Sequence, residues 1–237
     1  MNYDENYSNW KNWNNFGEIN ELDRKFFNTY VKSNFTASQQ INVLEIGFGN
    51  GSFLSYGQEL GWEMSGTEIN LALQEAALKA GYKVYKENEY ENLSDNSFDC
   101  ICAFDVLEHL NKNELNNTFK KVNKLLKPGG IFITRFPNGD SPFGLYNQNG
   151  DLTHISFIGT GIISSLCLMA NYDSFTLEGE KRINPKKGIK YFLHHIIVKF
   201  VIKFVGLSIS FIFPQFKNNK FLSPNLIMVA KKGTIKS

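Results

Sequence analysis

From Ile41 onward, short apolar or β-branched runs alternate with stretches whose hydrophobic residues recur at helical spacing. Ile41–Ile46, Glu63–Thr67, Lys83–Lys86, Ser97–Ala103 and Gly130–Arg135 read as strands, and Gly51–Leu60, Leu71–Ala80 and Asn113–Leu126 as helices. Strands separated by helices of about 10–15 residues predict a mostly parallel sheet covered on both faces, a doubly wound α/β domain. Upstream, Glu18–Lys32 places Ile19, Leu22, Phe26 and Tyr30 on one helical face, with acidic residues early and a basic one late.

The pattern changes after Pro137. Asn138–Asp151 is polar and glycine-rich, and Asn138–Gly150 reads as a flexible loop. Thr153–Asn171 follows, helical in its second half, and then a strand at Ser174–Glu178. Gly188–Phe213 is almost wholly apolar, with Lys190, Lys199 and Lys203 interspersed, and a last strand is expected at Leu226–Ala230. The expected organisation is an N-terminal helical lid, residues 1–40, and one domain, residues 41–237, that carries a helical insertion at residues 185–222. A chain of 237 residues suffices for a core without disulfides or metals. The formal charge of +2 names no partner and does not suggest a nucleic-acid binder. Met1–Asn20 has no apolar core and resembles no leader, so a reducing cytoplasm is expected. Cys100 and Cys102 share a strand face, where they cannot bridge each other.

Candidate chemistry concentrates in Val43-Leu44-Glu45-Ile46-Gly47-Phe48-Gly49-Asn50-Gly51-Ser52, a buried strand running into a glycine-rich turn and a helix. That arrangement lets a nucleotide-like ligand approach backbone at the carboxyl edge of a sheet. Ser52 stands where a dinucleotide fingerprint has its third glycine. Glu45, two residues before Gly47, would repel a pyrophosphate and suits a ligand bearing an ammonium or sulfonium. Glu68, 21 residues after Gly47, closes the next strand in Gly66-Thr67-Glu68-Ile69-Asn70, where a carboxylate can accept the hydroxyls of an unphosphorylated ribose.

Together with two further runs, this segment resembles class I S-adenosylmethionine-dependent methyltransferases. Val43–Ser52 resembles their first motif, Phe98–Leu110 their fourth-strand motif, and Leu125-Leu126-Lys127-Pro128-Gly129-Gly130 the turn before their fifth strand. The resemblance is to small-molecule and surface-polysaccharide O-methyltransferases. It implies a Rossmann-like sheet of seven strands, mostly parallel with a reversed last strand, and helices on both faces. S-adenosylmethionine is then the methyl donor and S-adenosylhomocysteine the product. By resemblance, Glu45 faces the methionine ammonium, Gly47, Phe48, Gly49 and Gly51 line the donor, and Glu68 with Ile69 holds the ribose end. Glu89 and Tyr90 fall near the adenine, although the family has a Gly-Asp pair there, and Phe104 and Asp105 flank the methionine part.

Where family members that modify base amines or Gln amides carry an Asn-Pro-Pro-Tyr type of motif, this chain has Phe104-Asp105-Val106-Leu107. A hydroxyl acceptor is therefore expected: a sugar, nucleotide-sugar or sugar-attached group of surface polysaccharide synthesis. A quinone or lipid O-methyltransferase, or a non-catalytic binder of S-adenosylmethionine, are the alternatives. His154 is the candidate general base, because imidazole titrates near working pH, and Asp151 is its candidate orienting acid; a tether for the loop and a helix cap are the plainer roles of these two. His109 is expected to be structural. No metal site is expected, since Cys100-x-Cys102 lacks a partner pair.

Three readings of Gly188–Phe213 are open: a helical subdomain packed on the core or on a second subunit, an amphipathic anchor at a membrane surface, and a membrane span. Its longest lysine-free stretch, Phe204–Phe216, is shorter than the ~20 residues a span needs. Tyr191, His195, Lys199 and Lys203 fall in one helical stripe. Homodimer or peripheral membrane contact is expected through this segment. Tyr3, Tyr7, Trp10, Trp13 and Phe16 would form an apolar lid.

Overall fold

The computed structural model describes residues 15–36, 39–181, 188–214 and 222–234. A seven-stranded sheet runs in the order β3-β2-β1-β4-β5-β7-β6. Its strands are β1 (Asn42–Ile46), β2 (Glu63–Thr67), β3 (Lys83–Val84), β4 (Phe98–Phe104), β5 (Leu126–Pro137), β6 (Ser174–Gly179) and β7 (Asn225–Lys231). β1 pairs in parallel with β2, Val43 against Met64, and with β4, Val43 against Cys100; β2 continues in parallel to β3. β7 is reversed. Gly129 N–H donates to Lys232 C=O, whereas Asn138 N–H, beyond the far end of β5, donates to Pro224 C=O, so one run rises as the other falls. The expected methyltransferase-type α/β sheet is therefore the observed one.

The chain divides into two compact units. One comprises residues up to Phe104, Lys121–Ile133 and the residues from Lys231 on; the other comprises Asp105–Lys120 and Thr134–Ala230. In the first, helix α1 (Glu21–Tyr30) starts later than the hydrophobic pattern suggests, because the Asn20 side chain accepts from Asp23 N–H at 2.9 Å and caps it there. α1 buries Phe26, Phe27 and Tyr30. The Phe27 ring lies 5.0 Å from Phe53 and 5.2 Å from Tyr56, both on α2 (Ser52–Glu59), and 5.9 Å from Phe104 at the end of β4. Tyr56 Oη donates to Asn28 Oδ1 at 2.8 Å, and Arg24 pairs with Glu59 at 2.6 Å. Helices α3 (Leu71–Lys79) and the short α4 (Glu87–Glu91) flank β3. Lys127-Pro128-Gly129-Gly130 belongs to β5 rather than to a free turn, since both glycines pair with Lys232. Cys100 and Cys102 are buried free thiols, as their shared face requires.

In the second unit the stretch from Asn138 to Asp151 differs from the flexible loop expected. Asn138, Ser141, Gln148 and Asp151 are buried, and a short helix, α6 (Gly144–Gln148), follows α5 (Lys112–Leu125) and β5 in the chain. Asn138 Nδ2 donates to Ser223 C=O at 2.9 Å, and its Oδ1 accepts from Asp140 N–H. The Asn138, Ser141 and Asp151 side chains are taken up largely by backbone partners, so a hydrophilic composition does not make the stretch a free loop. Asp140 Oδ2 accepts from both the N–H and the hydroxyl of Thr160 at 2.7 Å and so caps α7 (Thr160–Met169). α8 (Ile189–Ile212) is one continuous helix. Of the expected lid aromatics only Phe16 is described; Tyr3, Tyr7, Trp10 and Trp13 lie outside the described residues.

Phe27→Ala removes the ring that joins α1 to α2 and β4. It is expected to lower unfolding stability by about 3–5 kcal/mol, read as a reduced urea midpoint; an unchanged midpoint would mean that α1 adds nothing to this core.

Candidate functional site

The first unit builds a loop at the carboxyl end of β1. In the observed strand order, β1 and β4 are neighbours although β2 and β3 intervene in sequence, so the chain's direction of winding reverses between them. Ligands of open α/β sheets bind at that switch point. Gly47, Gly49 and Gly51 all have positive φ, 67°, 53° and 74°, a conformation that side chains with a Cβ resist. Gly47 and Phe48 N–H both donate to Thr67 C=O, at 2.8 and 3.2 Å, and Gly51 N–H closes the turn on Phe48 C=O at 2.9 Å. The Phe48 ring is buried against Gly66, where an added Cβ would come within 2.5 Å of it. Phe16 meets Phe48 edge-on at 6.2 Å, while Gly17 N–H bonds Asn50 C=O at 2.6 Å.

Glu68 fastens this loop. Its Oε2 accepts from Gly49 N–H at 2.9 Å, and its Oε1 accepts from Ile69 and Asn70 N–H at 2.8 and 3.0 Å. A carboxylate offers about four acceptor positions, so three are spoken for. A ribose diol at Glu68 would have to take over the bond to Gly49 N–H. The Ile69 side chain beside it is 93% exposed, an apolar surface on which a flat ring can rest.

Glu45 is buried inside the domain with its Oε2 lacking a hydrogen-bond partner. Burial pushes its carboxyl well above the ordinary carboxylate range, the Glu68 charge adds to the rise, and Leu54 N–H, donating from the first turn of α2, pulls the other way. An unsatisfied acid at the end of a strand beside a glycine loop fits a ligand bringing an ammonium. The residues present therefore suit S-adenosylmethionine: an acid for the amino group, a fixed acid for the ribose, and between them a glycine turn whose last glycine, Gly51, is covered by the Phe16 ring.

The remaining expected contacts have other partners. Glu89 Oε2 accepts from Lys86 N–H at 2.9 Å, and Tyr90 lies under the Lys121 ammonium at 5.8 Å. The Phe104 ring packs among Phe26, Phe27 and Phe53.

In the second unit, Asp105 takes a left-handed conformation, φ 55°, and its carboxylate receives a two-pronged bond from Arg135, one prong being Nε to Oδ1 at 3.0 Å. His154 Nδ1 lies 3.1 Å from Gln148 C=O. A carbonyl only accepts, so Nδ1 carries the proton and Nε2 is the basic nitrogen. Nε2 faces Glu108 Oε1 at 3.7 Å and Asp151 Oδ2 at 3.9 Å, and the His109 ring stands edge-on at 4.7 Å. Asp151 Oδ1 is held by Thr153 N–H and hydroxyl, at 3.0 and 2.6 Å. Glu108 C=O receives Ile155 and Ser156 N–H, which binds the His154 segment to the turn Leu107–His109. The Asp151 carboxylate lies near the His154 ring at 3.9 Å, longer than a hydrogen bond, and Gln148 C=O rather than Asp151 orients the ring. Two residues for which sequence reasoning gave no role or only a structural one, Glu108 and His109, stand beside them. An acid set in the apolar run Val106-Leu107-Glu108-His109-Leu110 was the available signal. Two buried carboxylates around a basic nitrogen can stabilise a proton, and Glu108, His109 and His154, whose ligand-type atoms lie within 4.8 Å of one another, could equally hold a metal ion.

For Glu45 the stability sign follows from its raised value. The unfolded chain ionises first as pH rises, so folding loses stability between the ordinary carboxylate range and the raised one. Glu45→Gln is expected to raise the melting temperature at pH 7 and leave it unchanged at pH 4, measured by calorimetry; a lowered value at pH 7 would mean that the buried carboxylate is stabilising.

Comparisons accord with this geometry. A family model described as a methyltransferase domain matches residues 20–171. None of the curated proteins matches. Among solved structures, an S-adenosylmethionine-dependent methyltransferase of Archaeoglobus fulgidus aligns with TM-score 0.66 at 19% identity, covering 90% of this chain and 94% of that one. A possible histamine N-methyltransferase of Thermotoga maritima aligns at 0.60 and 18%, covering 97% and 98%. A phosphoethanolamine N-methyltransferase of Haemonchus contortus, in complex with S-adenosylhomocysteine, aligns at 0.58 and 18%, covering 93% of this chain and 55% of that one. With the family model spanning more than half of its length and the strand order and glycine loop in place, the chain belongs to the methyltransferase-domain family, as an S-adenosylmethionine-dependent enzyme of the class I fold.

Proposed function

We propose that the chain methylates a hydroxyl of a small polar acceptor, of the sugar or sugar-attached kind, and that His154 takes the hydroxyl proton. The observation that carries this reading is the orientation of His154. Gln148 C=O fixes Nδ1–H, and basic Nε2 is left facing two buried carboxylates.

Bound S-adenosylmethionine supplies a methyl group already activated on a sulfonium. Glu45 would hold its ammonium and Glu68 its ribose. The chain's remaining tasks are to orient the acceptor and to move a proton. Nε2 accepts that proton, and the carboxylates of Glu108 and Asp151 stabilise the imidazolium so formed. After β4 the chain reads Phe104-Asp105-Val106-Leu107 in place of the Asn-Pro-Pro-Tyr type of motif carried by family members that modify base amines or Gln amides, which supports a hydroxyl acceptor. A second reading rests on the grouping of Glu108, His109 and His154: a divalent cation held there would orient or acidify the acceptor hydroxyl instead.

Glu68→Ala and Gly49→Val are each expected to weaken S-adenosylmethionine binding at least tenfold by isothermal titration; equal affinity in both would remove the glycine loop as the donor site. His154→Ala is expected to keep donor affinity and to lower turnover by 10²–10⁴, the range general base catalysis supplies, in an assay with a panel of sugars, nucleotide-sugars and quinols. Unchanged turnover would exclude His154 as base. Loss of turnover with a chelator, restored by Mg²⁺ or Mn²⁺, would favour the cation reading, and methylation of quinols alone would replace the sugar acceptor.

A further inference from the structure

The near-neutral total charge conceals a sharp division along the chain. All 23 acidic residues lie at or before Glu180, whereas 12 of the 25 basic residues follow it, so the last 57 residues contain no acid at all. Within that segment, α8 (Ile189–Ile212) runs for 24 residues, about 36 Å at 1.5 Å per residue. Most of its described residues are exposed; Ile196, Val198, Ile209 and Ser210 are half-buried and Gly206 is buried. Phe204 is 71% exposed and Phe211 89%.

Turning 100° per residue, Leu193, Ile197, Phe200, Phe204, Leu207 and Phe211 fall within an arc of about 80°. All six are exposed large apolar side chains, and exposed Val201, Ile202, Val205 and Ile212 widen the apolar surface on the side away from the lysines. Lys199 and Lys203 form a row beside this arc, one turn apart. Exposed apolar surface on this scale marks an interaction site, and the lysine row says with what.

We propose that α8 is an interfacial helix that lies in the plane of a bilayer containing anionic lipid. Its phenylalanine and leucine arc enters the acyl boundary, and Lys199 and Lys203 reach up to the phosphates. The acid-free segment supplies the attraction to a negative surface. A second copy fits less well, because pairing α8 with α8 brings lysine rows together with no acid on either side. A span fits less well too: Lys199 and Lys203 sit in the middle of the helix, where a spanning geometry would place them at the bilayer centre. No helix among the described residues is long and apolar enough to cross a membrane. This proposal rests on α8 alone and stands whether or not His154 is the base.

The test is sedimentation of the full chain with vesicles of phosphatidylcholine containing 30% phosphatidylglycerol, against pure phosphatidylcholine. At least tenfold stronger binding to the anionic vesicles is expected, weakened by 0.5 M salt. Lys199→Glu with Lys203→Glu, and separately Phe200→Ser with Phe204→Ser and Phe211→Ser, are each expected to reduce that binding at least tenfold. Because these side chains are exposed, both variants should keep the wild-type melting temperature and donor affinity. Equal binding to both vesicle types, no binding to either, or resistance to extraction at alkaline pH would overturn the proposal. So would a vesicle-free dimer that the phenylalanine variant dissociates while anionic binding is absent.

Discussion

The double pairing of β1 is the constraint from which the glycine loop and its two acids follow. Hydrogen-bonded in parallel to β2 on one side and β4 on the other, β1 has no freedom of register. Its end must therefore deliver Glu45 into a dry position and hand the chain over to the glycine turn. A buried acid without a full set of partners is costly, and burial together with the Glu68 charge drives its carboxyl toward the neutral form. The fold tolerates that cost at the end of β1, beside the glycine turn.

Glu68 carries the complementary role. By accepting from Gly49, Ile69 and Asn70 N–H, it links the ends of β1 and β2 through a single carboxylate and gives the glycine loop a definite shape before any ligand arrives. The same bonds occupy most of the acceptor positions of this carboxylate and hold the loop in place.

In the second unit, the carbonyl of Gln148 decides which imidazole nitrogen of His154 is basic, and the turn Leu107–His109 decides what that nitrogen faces. Such a site depends on backbone hydrogen bonds between segments more than 40 residues apart, as Ile155 and Ser156 N–H on Glu108 C=O show. Asn138 and Asp151 serve that framework, because backbone groups claim their side chains.

The sequence by itself determined the alternation of strands and helices, the glycine turn, and the two acids that accompany it, because local periodicity and spacing carry those features. Lys83–Lys86 and the Lys-Pro-Gly-Gly run were misjudged in extent, since pairing partners rather than local propensity set where β3 and β5 begin and end. Glu108 beside His154 was not legible, for nothing in either segment announces that a buried acid and an imidazole 46 positions apart will meet. The exposure of α8 was likewise decided by tertiary structure. A run of Phe, Ile, Val and Leu is equally suited to a core, a partner or a bilayer, and only the packing of the rest of its unit leaves those side chains uncovered.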